Sequence, residues 1–358
     1  MKLVSKGWNS RWQTIWDELS EQHDGLEPAR IASDHGSRCR VVLEDGECWA
    51  EPSGRLRHAV ETGEGLQPAV GDWVAVRRLE EGHAVIVQIL PRSSVISRRA
   101  AGSVPAEQVV AANVDILFLV SALNDDFNVR RMERYLIMAW NSGASPVVLL
   151  TKSDLCPDAA LQIAEMEAVA PGVPVLAVSA HENIGGEALQ PYLGPGRTIA
   201  LTGSSGCGKS TLVNWLCGRP LQRVQEIRLD DSKGRHTTTH RELFELPSGG
   251  VIIDTPGMRE LQLWEDGGGL SLAFADIEQL AAGCRFADCR HEREAGCAVL
   301  EAVATGGLEE KRLLNYRKTQ RELAYYSAKE DKAKRTVQRG KQAKPPKPRA
   351  RDWKSELE

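Results

Sequence analysis

A glycine-rich stretch near the middle of the chain constrains its fold more than any other feature. Residues 203–210 read GSSGCGKS and fit the pattern G-x-x-x-x-G-K-[ST]. An apolar run from Ile199 to Leu201 precedes it, and a helix-like segment with Leu212, Val213 and Leu216 follows. A strand, a glycine-rich loop and a helix start form the context in which this pattern binds nucleoside triphosphates. We therefore predict an α/β domain built around a phosphate-binding loop, or P-loop.

Each residue type in the P-loop has a physical task. Glycines let the backbone wrap so that successive N–H groups point at phosphate oxygens, and the helix N-terminus adds its partial positive charge. Lys209 is predicted to act in catalysis by neutralising the β- and γ-phosphates, and Ser210 to bind Mg²⁺. The predicted phosphate-binding residues are Gly203, Ser204, Ser205, Gly206, Cys207, Gly208, Lys209, Ser210 and Thr211.

The sequence before the P-loop alternates between strand-like and helical segments. The strand-like runs are 115–120, 146–150 and 173–178, and the helical stretches between and after them are 129–140, 158–169 and 185–193. This alternation predicts a parallel sheet with right-handed crossovers, which the P-loop strand joins. Ligands bind at the carboxyl ends of the strands in such sheets.

Two short motifs at predicted strand ends indicate guanine as the base. Asp154 can accept two hydrogen bonds from the N1–H and exocyclic amine of guanine, whereas adenine would leave this carboxylate desolvated without a partner. The Lys152 stem can lie over the base, and a backbone N–H of the Ser179-Ala180 pair can bond O6. The residues predicted to bind the base are Thr151, Lys152, Ser153, Asp154, Ser179 and Ala180.

Two segments beyond the P-loop are predicted to respond to the γ-phosphate. The polar loop 234–239 reads GRHTTT, and one of its threonines is predicted to close on Mg²⁺. The pattern does not distinguish among them, and Thr238 is taken as the candidate. The second is an apolar strand that ends in D-x-x-G, where Asp254 would hold the Mg²⁺ shell through water and the Gly257 N–H would contact the γ-phosphate.

These five motifs resemble those of GTPases, but the base-recognition motifs come before the P-loop instead of after it. The resemblance implies a circularly permuted GTPase, in which the motifs still meet if the original termini lay close enough to be joined. Thr151 departs from the family pattern, because many GTPases carry Asn there. Its hydroxyl replaces only part of the amide's bonding, so we expect lower nucleotide affinity.

Three of the eight cysteines in the chain lie in one segment with the spacing C-x4-C-x-H-x5-C. Three thiolates and one imidazole suit a closed tetrahedral site for one structural Zn²⁺ ion. The predicted ligands are Cys284, Cys289, His291 and Cys297. This usage of cysteine indicates metal binding in a reducing compartment, the cytoplasm, instead of a disulfide scaffold.

The N-terminal quarter has a different pattern. From Ile31 to about Ile96, short β-type runs alternate with turn residues, which is typical of a five-stranded barrel of the OB type. We predict a multi-domain α/β protein. Its parts are an N-terminal extension with three tryptophans (1–30), an OB-like barrel (31–98), a circularly permuted GTPase domain (99–268), a mainly helical zinc-binding domain (269–330) and a basic disordered tail (331–358).

Charge is distributed unevenly along the chain. Between Lys332 and Arg351 there are nine Lys or Arg and no Asp or Glu, although the whole chain has a formal net charge of −4. A basic tail on an acidic body indicates a polyanionic partner, although a merely solubilising tail would look the same. The sequence has no apolar run near the roughly 20 residues of a membrane span and no secretory leader pattern. We expect a cytoplasmic monomer with no membrane partner.

The barrel, the permuted GTPase motifs and the zinc motif together resemble the ribosome small subunit-dependent GTPase A family over about residues 31–325. The resemblance implies hydrolysis of GTP to GDP and phosphate, stimulated by the small ribosomal subunit. It also implies a role in late maturation of that subunit and contact with its rRNA through the barrel and zinc domains. Met258 stands where Ras-like enzymes carry a water-orienting glutamine, so we predict slow intrinsic hydrolysis, with His236 as the candidate for ordering the water.

Three other functions would share part of this pattern. An ABC-type ATPase shares the P-loop pattern, but it should carry a glutamate after Asp254 and an LSGGQ-like signature, and the chain has neither. A GTP-gated RNA- or ribosome-binding module with negligible turnover is the main alternative, which the sequence alone does not exclude. A non-catalytic zinc-and-barrel RNA chaperone would not need Lys209, Ser210 and Asp254 together.

Overall fold

The computed structural model describes residues 2–79, 82–99, 107–221, 241–254 and 268–342. The strands are β1 Glu27–Asp34, β2 Cys39–Val42, β3 Glu47–Pro52, β4 Trp73–Arg78, β5 His83–Ile89, β6 Val95–Arg99, β7 Glu107–Ala112, β8 Ile116–Ala122, β9 Ser145–Thr151, β10 Val175–Ala177, β11 Thr198–Gly203, β12 Glu242–Glu245 and β13 Val251–Asp254. The helices are α1 Ser10–Ser20, α2 Gly54–Thr62, α3 Val129–Ser142, α4 Ala159–Val169, α5 Gly186–Leu193, α6 Lys209–Cys217, α7 Gly269–Ala273, α8 Ala275–Ala281, α9 Ala298–Ala304 and α10 Glu310–Gln342.

The first five strands form the predicted OB-like barrel. They follow the order β1-β2-β3-β5-β4, and β4 pairs back onto β1 to close the barrel. The β3–β5 pair is parallel and the other pairs are antiparallel. Apolar side chains fill its interior because they recur at every second residue, as Ala29 and Ile31 do on β1 and Val74 and Val76 on β4. β6 and β7 form a separate two-stranded antiparallel sheet in the stretch that leads to the next domain.

The predicted GTPase domain is built on a six-stranded sheet with the order β10-β9-β8-β11-β13-β12. Its strands run parallel, as predicted, except for β12, which is antiparallel to β13. Both faces are covered: Leu117 and Leu119 of β8 pack in one core with α3 and α4, while Phe118 and Val120 pack in another with α5 and α6. Because every strand but β12 points the same way, their carboxyl ends share one edge of the sheet.

The N-terminal extension, the barrel and the GTPase sheet meet at a buried arginine. Arg30 on β1 is 1% exposed and donates hydrogen bonds to the Thr198 hydroxyl at 2.9 Å, the Gly71 carbonyl at 3.3 Å and the Lys6 carbonyl. Its guanidinium also lies 5.0 Å from the ring of Trp73. Thr198 begins the P-loop strand, so a single side chain fixes the barrel and the extension to the base of that strand.

The tryptophans of the extension pack on the barrel. The rings of Trp8 and Trp12 lie 4.6 and 6.1 Å from that of Trp73, and all three side chains are buried. Trp8, Trp12 and Trp16 recur every four residues, which predicts one face of a short helix, but α1 begins at Ser10 and leaves Trp8 outside it. The Asn9 side chain caps α1 by accepting from the N–H groups of residues 11 and 12, which sets this start.

The C-terminal helices pack against α3 of the GTPase domain. Glu133 on α3 is fully buried, and its carboxylate accepts hydrogen bonds from Arg312 at 2.6 Å and from Asn315, both on α10. Arg312 also bonds both oxygens of Asp276 on α8 at 2.6 Å. α10 continues to Gln342, beyond the boundary at residue 330 that the sequence indicated, and residues 343–358 lie outside the described part of the chain. No helix among the described residues combines the length and apolar character needed to cross a membrane.

Candidate nucleotide and metal sites

The P-loop follows β11 directly and leads into α6. Gly203, Gly206 and Gly208 have φ values of +158°, +77° and +95°, which L side chains rarely adopt. A Cβ on Gly203 would stand 2.3 Å from the Val120 carbonyl oxygen, so only glycine fits against the neighbouring strand. α6 begins at Lys209, and its free N–H groups therefore start where the loop ends. The backbone has the tight wrapped form that the motif predicts.

The Lys209 side chain folds back across the P-loop. Its Nζ donates to the Gly203 carbonyl at 2.7 Å and to the Ser204 carbonyl. The Cys207 side chain is fully buried, with Sγ 3.5 Å from the same Nζ. Lys209 is thus held at the loop, while Cys207 fills space beneath it and offers no nucleophile to a ligand.

The predicted base motif lies beside the P-loop. Thr151 ends β9, and its hydroxyl donates to the Cys207 carbonyl at 2.6 Å. Lys152 adopts a left-handed conformation (φ +58°), which turns the chain into a short 3₁₀ helix from Ser153 to Leu155. Asp154 lies on that turn with its carboxylate exposed, available to a ligand.

The second base motif forms a closed turn. The Ser179 N–H donates to the Ile184 carbonyl at 3.0 Å, and the Ile184 N–H returns a bond to the Ser179 carbonyl at 2.8 Å. The Ser179 hydroxyl accepts from the Glu182 N–H at 3.1 Å. Since the Ser179 N–H is already used, Ala180 is the member of the pair whose N–H suits guanine O6.

The sheet brings most of the predicted site residues to one edge. The P-loop, Thr151, Ser179 and Asp254 all lie at or just beyond the carboxyl ends of its parallel strands. Ser210, in the first turn of α6, and Asp254, the last residue of β13, offer the hydroxyl and carboxylate oxygens that Mg²⁺ prefers. His236, Thr238, Gly257 and Met258 lie outside the described residues.

Two contacts at this edge were not predicted from the sequence. The Ser204 hydroxyl donates to the carboxylate of Asp126, in the loop after β8, and Trp215 Nε1 on α6 donates to Asn183 Oδ1 at 2.8 Å. A sequence signal existed for Asp126, because the polar run NDDFN at 124–128 follows a buried strand of an α/β sheet. No comparable signal marks Asn183 or Trp215.

The four predicted metal ligands converge. One donor atom from each of Cys284, Cys289, His291 and Cys297 lies within 4.8 Å of the others. The Sγ atoms of Cys284 and Cys297 are 3.8 Å apart, and His291 Nδ1 lies 3.6 and 3.3 Å from them. A tetrahedral ion with bonds of about 2.3 Å to sulfur requires S···S edges of about 3.8 Å, so the spacing fits.

Backbone and burial support this cluster. Cys297 caps α9, and its Sγ accepts from the Leu300 N–H at 3.4 Å. His291 has a left-handed backbone (φ +56°), which turns its ring toward the sulfurs. Burial lowers the pKa of the His291 imidazole, because a buried site disfavours the charged form, and the neutral ring is the one that binds metals. The donor set suits a closed structural metal site.

Comparisons with known proteins agree on one family. A family model described as RsgA GTPase matches residues 89–264. A protein from Opitutus terrae named small ribosomal subunit biogenesis GTPase RsgA is 47% identical over 341 residues, covering 92% of each chain. A protein of the same name from Syntrophotalea carbinolica is 41% identical and covers 99% of each chain.

Solved structures show the same fold. The crystal structure of YjeQ from Thermotoga maritima aligns with a TM-score of 0.62 and 27% identity, covering 84% of this chain and 99% of that one. YloQ, described as a circularly permuted GTPase, aligns with a TM-score of 0.60 and 24% identity, covering 84% and 96% of the two chains. The predicted architecture, an OB-like barrel, a permuted GTPase domain and a helical C-terminal region with a Cys/His cluster, is therefore confirmed. The chain belongs to the RsgA GTPase family.

Proposed function

We propose that this GTPase hydrolyses GTP to GDP and phosphate under stimulation by the small ribosomal subunit, and that it acts in late maturation of that subunit. The observation that carries the proposal is the meeting of a P-loop, with Lys209 held across it, and an exposed Asp154 at one sheet edge. The names of the relatives supply the ribosomal subunit as the setting. They also disfavour the alternative of a GTP-gated module with negligible turnover.

The P-loop is proposed to hold the phosphates through the backbone of residues 203–211. Lys209 then offsets the charge that develops on the β- and γ-phosphates, which is the main task of the protein in phosphoryl transfer. Mg²⁺ would be held by Ser210, Asp254 and Thr238, and when bound it neutralises phosphate charge. We propose Gly257 as the γ-phosphate contact and His236 as the residue that orders the attacking water once the ribosome fixes its loop.

Base recognition is proposed to depend on three groups. The exposed Asp154 carboxylate accepts from guanine N1–H and its exocyclic amine, the Lys152 stem covers the ring, and the Ala180 N–H bonds O6. Ser153 supports the Asp154 turn, since its N–H donates to the Val178 carbonyl at 3.3 Å, and Ser179 supports Ala180 through its two backbone hydrogen bonds with Ile184. ATP lacks the donors that Asp154 needs, so it should bind poorly.

The metal site is proposed to hold one structural Zn²⁺ ion on Cys284, Cys289, His291 and Cys297. Three sulfurs and one nitrogen in a closed, partly buried cluster leave no position open for a substrate. Such an ion fixes loops that have little core of their own. It would therefore stabilise the C-terminal domain without taking part in hydrolysis.

The polyanion partner is proposed to be the rRNA of the small subunit, contacted through the barrel and the C-terminal domain. On the barrel, the Arg38 guanidinium lies 4.4 Å from the Trp49 ring, a pairing of cation and aromatic group that suits single-stranded RNA. We also propose a monomeric state in the cytoplasm.

The division into residues 1–30, 31–98, 99–268, 269–330 and 331–358 stays a proposal for limited proteolysis to test.

The decisive experiment on function is GTP turnover with and without purified small ribosomal subunits, with ATP as control nucleotide and Lys209→Ala as control variant. We expect a slow basal rate of GTP turnover that small subunits raise strongly. We expect no comparable turnover of ATP. GTP turnover that small subunits leave unchanged would contradict the ribosomal assignment, and turnover of ATP alone would contradict the role of Asp154.

A further inference from the structure

A loop outside the five nucleotide motifs contacts the P-loop directly. Residues 124–128 connect β8 to α3, and β8 is the neighbour of the P-loop strand β11. From this loop the Asp126 carboxylate accepts a hydrogen bond from the Ser204 hydroxyl. Ser204 is the second residue of the P-loop, so this bond reaches the part of the chain that wraps the phosphates.

Asp126 is itself held from several directions. Its N–H donates to Asn124 Oδ1 at 3.1 Å, and Arg131 Nη2 donates to its Oδ1 at 2.8 Å and also to its carbonyl oxygen. Asn128 caps α3 by accepting from the Arg131 N–H at 3.0 Å, which fixes the helix turn that carries Arg131. Backbone and side chain of Asp126 are therefore both restrained, and its carboxylate offers Ser204 a fixed acceptor.

The bond matters because Ser204 is linked to the catalytic lysine. The Ser204 carbonyl accepts from Lys209 Nζ, and the Gly203 carbonyl accepts from the same nitrogen at 2.7 Å. We propose that Asp126, held by Arg131, is a positioning residue that fixes Ser204 and through it the Lys209 ammonium. The inference rests on the proposed binding of nucleotide phosphates in this loop.

Electrostatic repulsion alone would predict that the Asp126 carboxylate weakens nucleotide binding, whereas a positioning role predicts that it strengthens binding. A carboxylate close to a phosphate site repels the phosphates and weakens binding, unless another contribution outweighs the repulsion. The ion pair with Arg131 offsets part of the charge of Asp126, and its hydrogen bond orders the loop before the ligand arrives. Removing the carboxylate should therefore weaken nucleotide binding if its role is positioning, but strengthen binding if only its charge matters.

Because the two roles of Asp126 predict opposite changes in nucleotide affinity, a binding experiment can distinguish them. The full-length protein is titrated with a fluorescent GDP analogue and assayed for GTP turnover, for wild type and for Asp126→Ala, Asp126→Asn, Ser204→Ala and the double variant Ser204→Ala/Asp126→Ala. Asp125→Ala is the matched control, because it removes the same charge from an exposed neighbour in the same loop. Thermal unfolding of each variant shows whether the fold is retained.

We expect Asp126→Ala and Ser204→Ala each to weaken nucleotide binding by about tenfold, because each removes one partner of the same charge-assisted bond. The double variant should be no weaker than either single variant, since the two residues share one interaction. Asp126→Asn, whose amide oxygen still accepts from Ser204, should recover part of the affinity, while Asp125→Ala should bind as tightly as wild type or more tightly.

Two results would overturn the inference. One is Asp126→Ala binding as Asp125→Ala does, which would leave only a charge effect. The other is additive losses in the double variant, which would mean that the two residues act separately. Wild-type protein that fails to bind the GDP analogue would instead contradict the proposed function itself, so the two failures are distinguishable.

Discussion

Thr151 donates its hydroxyl to the Cys207 carbonyl at 2.6 Å, and this bond joins the end of β9 to the P-loop. Thr151 is buried, and its other near acceptor, the Ser121 carbonyl, lies at 3.4 Å. A hydroxyl has one proton to donate, and the shorter distance assigns it to Cys207. Thr151 therefore sets the position of the P-loop relative to the turn that carries Asp154, and we propose that the residues after Thr151 recognise the base.

We expect Thr151→Val to weaken the binding of both GTP and GDP roughly tenfold, because the buried Cys207 carbonyl would lose its donor at a cost of about 1–3 kcal/mol. Thr151→Ser keeps the hydroxyl and should bind nearly as wild type does. Titration of each variant with fluorescent analogues of GDP and GTP measures these affinities. Equal affinities for the valine and serine variants would show that the bond does not support the loop.

Asp154→Asn should change which base the site prefers. Xanthine carries a carbonyl where guanine has its exocyclic amine, and an asparagine amide can donate to that carbonyl, whereas the Asp154 carboxylate only accepts. We expect the variant to lose about a hundredfold in GTP affinity and to bind XTP more tightly than GTP. Asp158→Asn, an exposed neighbour at the N-cap position before α4, is the matched control and should keep the preference for GTP. If the Asp154→Asn protein still prefers GTP, Asp154 does not recognise the base.

The parts predicted correctly from the sequence are those encoded by contiguous or periodic patterns. The P-loop backbone follows from its glycines, the barrel from the alternation of apolar residues, and the metal cluster from the spacing of Cys284 to Cys297. The helical structure of 331–342 was not predicted, because Pro345, Pro346 and Pro348 favoured an extended or disordered tail and the basic run that defines this tail begins at residue 332. The Lys, Arg, Ala and Gln residues of 331–342 are nonetheless good helix formers, and the prolines begin only at Pro345.

The parts that were not predicted depend on contacts between distant residues. Ser204 and Asp126 are 78 positions apart, and they meet because β8 and β11 are neighbours in the sheet. Arg30 and Thr198 are 168 positions apart and meet because the barrel packs against the base of the sheet. No local pattern specifies such pairs, because each residue taken alone reads as an ordinary polar residue at a strand or loop.

Removal of the metal should destabilise the C-terminal domain. With Cys284, Cys289, His291 and Cys297 freed, three sulfurs and an imidazole would lie within 4.8 Å of one another without the ion that joins them. We expect one zinc per chain by elemental analysis, loss of that zinc in Cys289→Ala, and a lower unfolding temperature after treatment with a strong chelator. Cys48→Ala, outside the cluster, should retain the metal. A chain purified with no metal and unaffected by chelator would contradict the assignment.

The contact between α3 and α10 should make stability depend on pH. Arg134 donates to both carboxylate oxygens of Glu322 at 2.7 and 2.8 Å, and these hydrogen bonds lower the pKa of Glu322 below its usual 4.5. A carboxyl whose pKa falls on folding contributes stability that is fully present above its unfolded pKa and is lost as pH drops through the folded one. We therefore expect wild type to lose more stability than Glu322→Gln between about pH 5 and pH 3. Denaturant unfolding at several pH values measures this difference.

Glu310→Gln, which changes an exposed residue in the first turn of α10, is the control and should follow the wild-type curve. Parallel pH profiles for wild type and Glu322→Gln would mean that the Arg134–Glu322 pair contributes nothing to the attachment of α10.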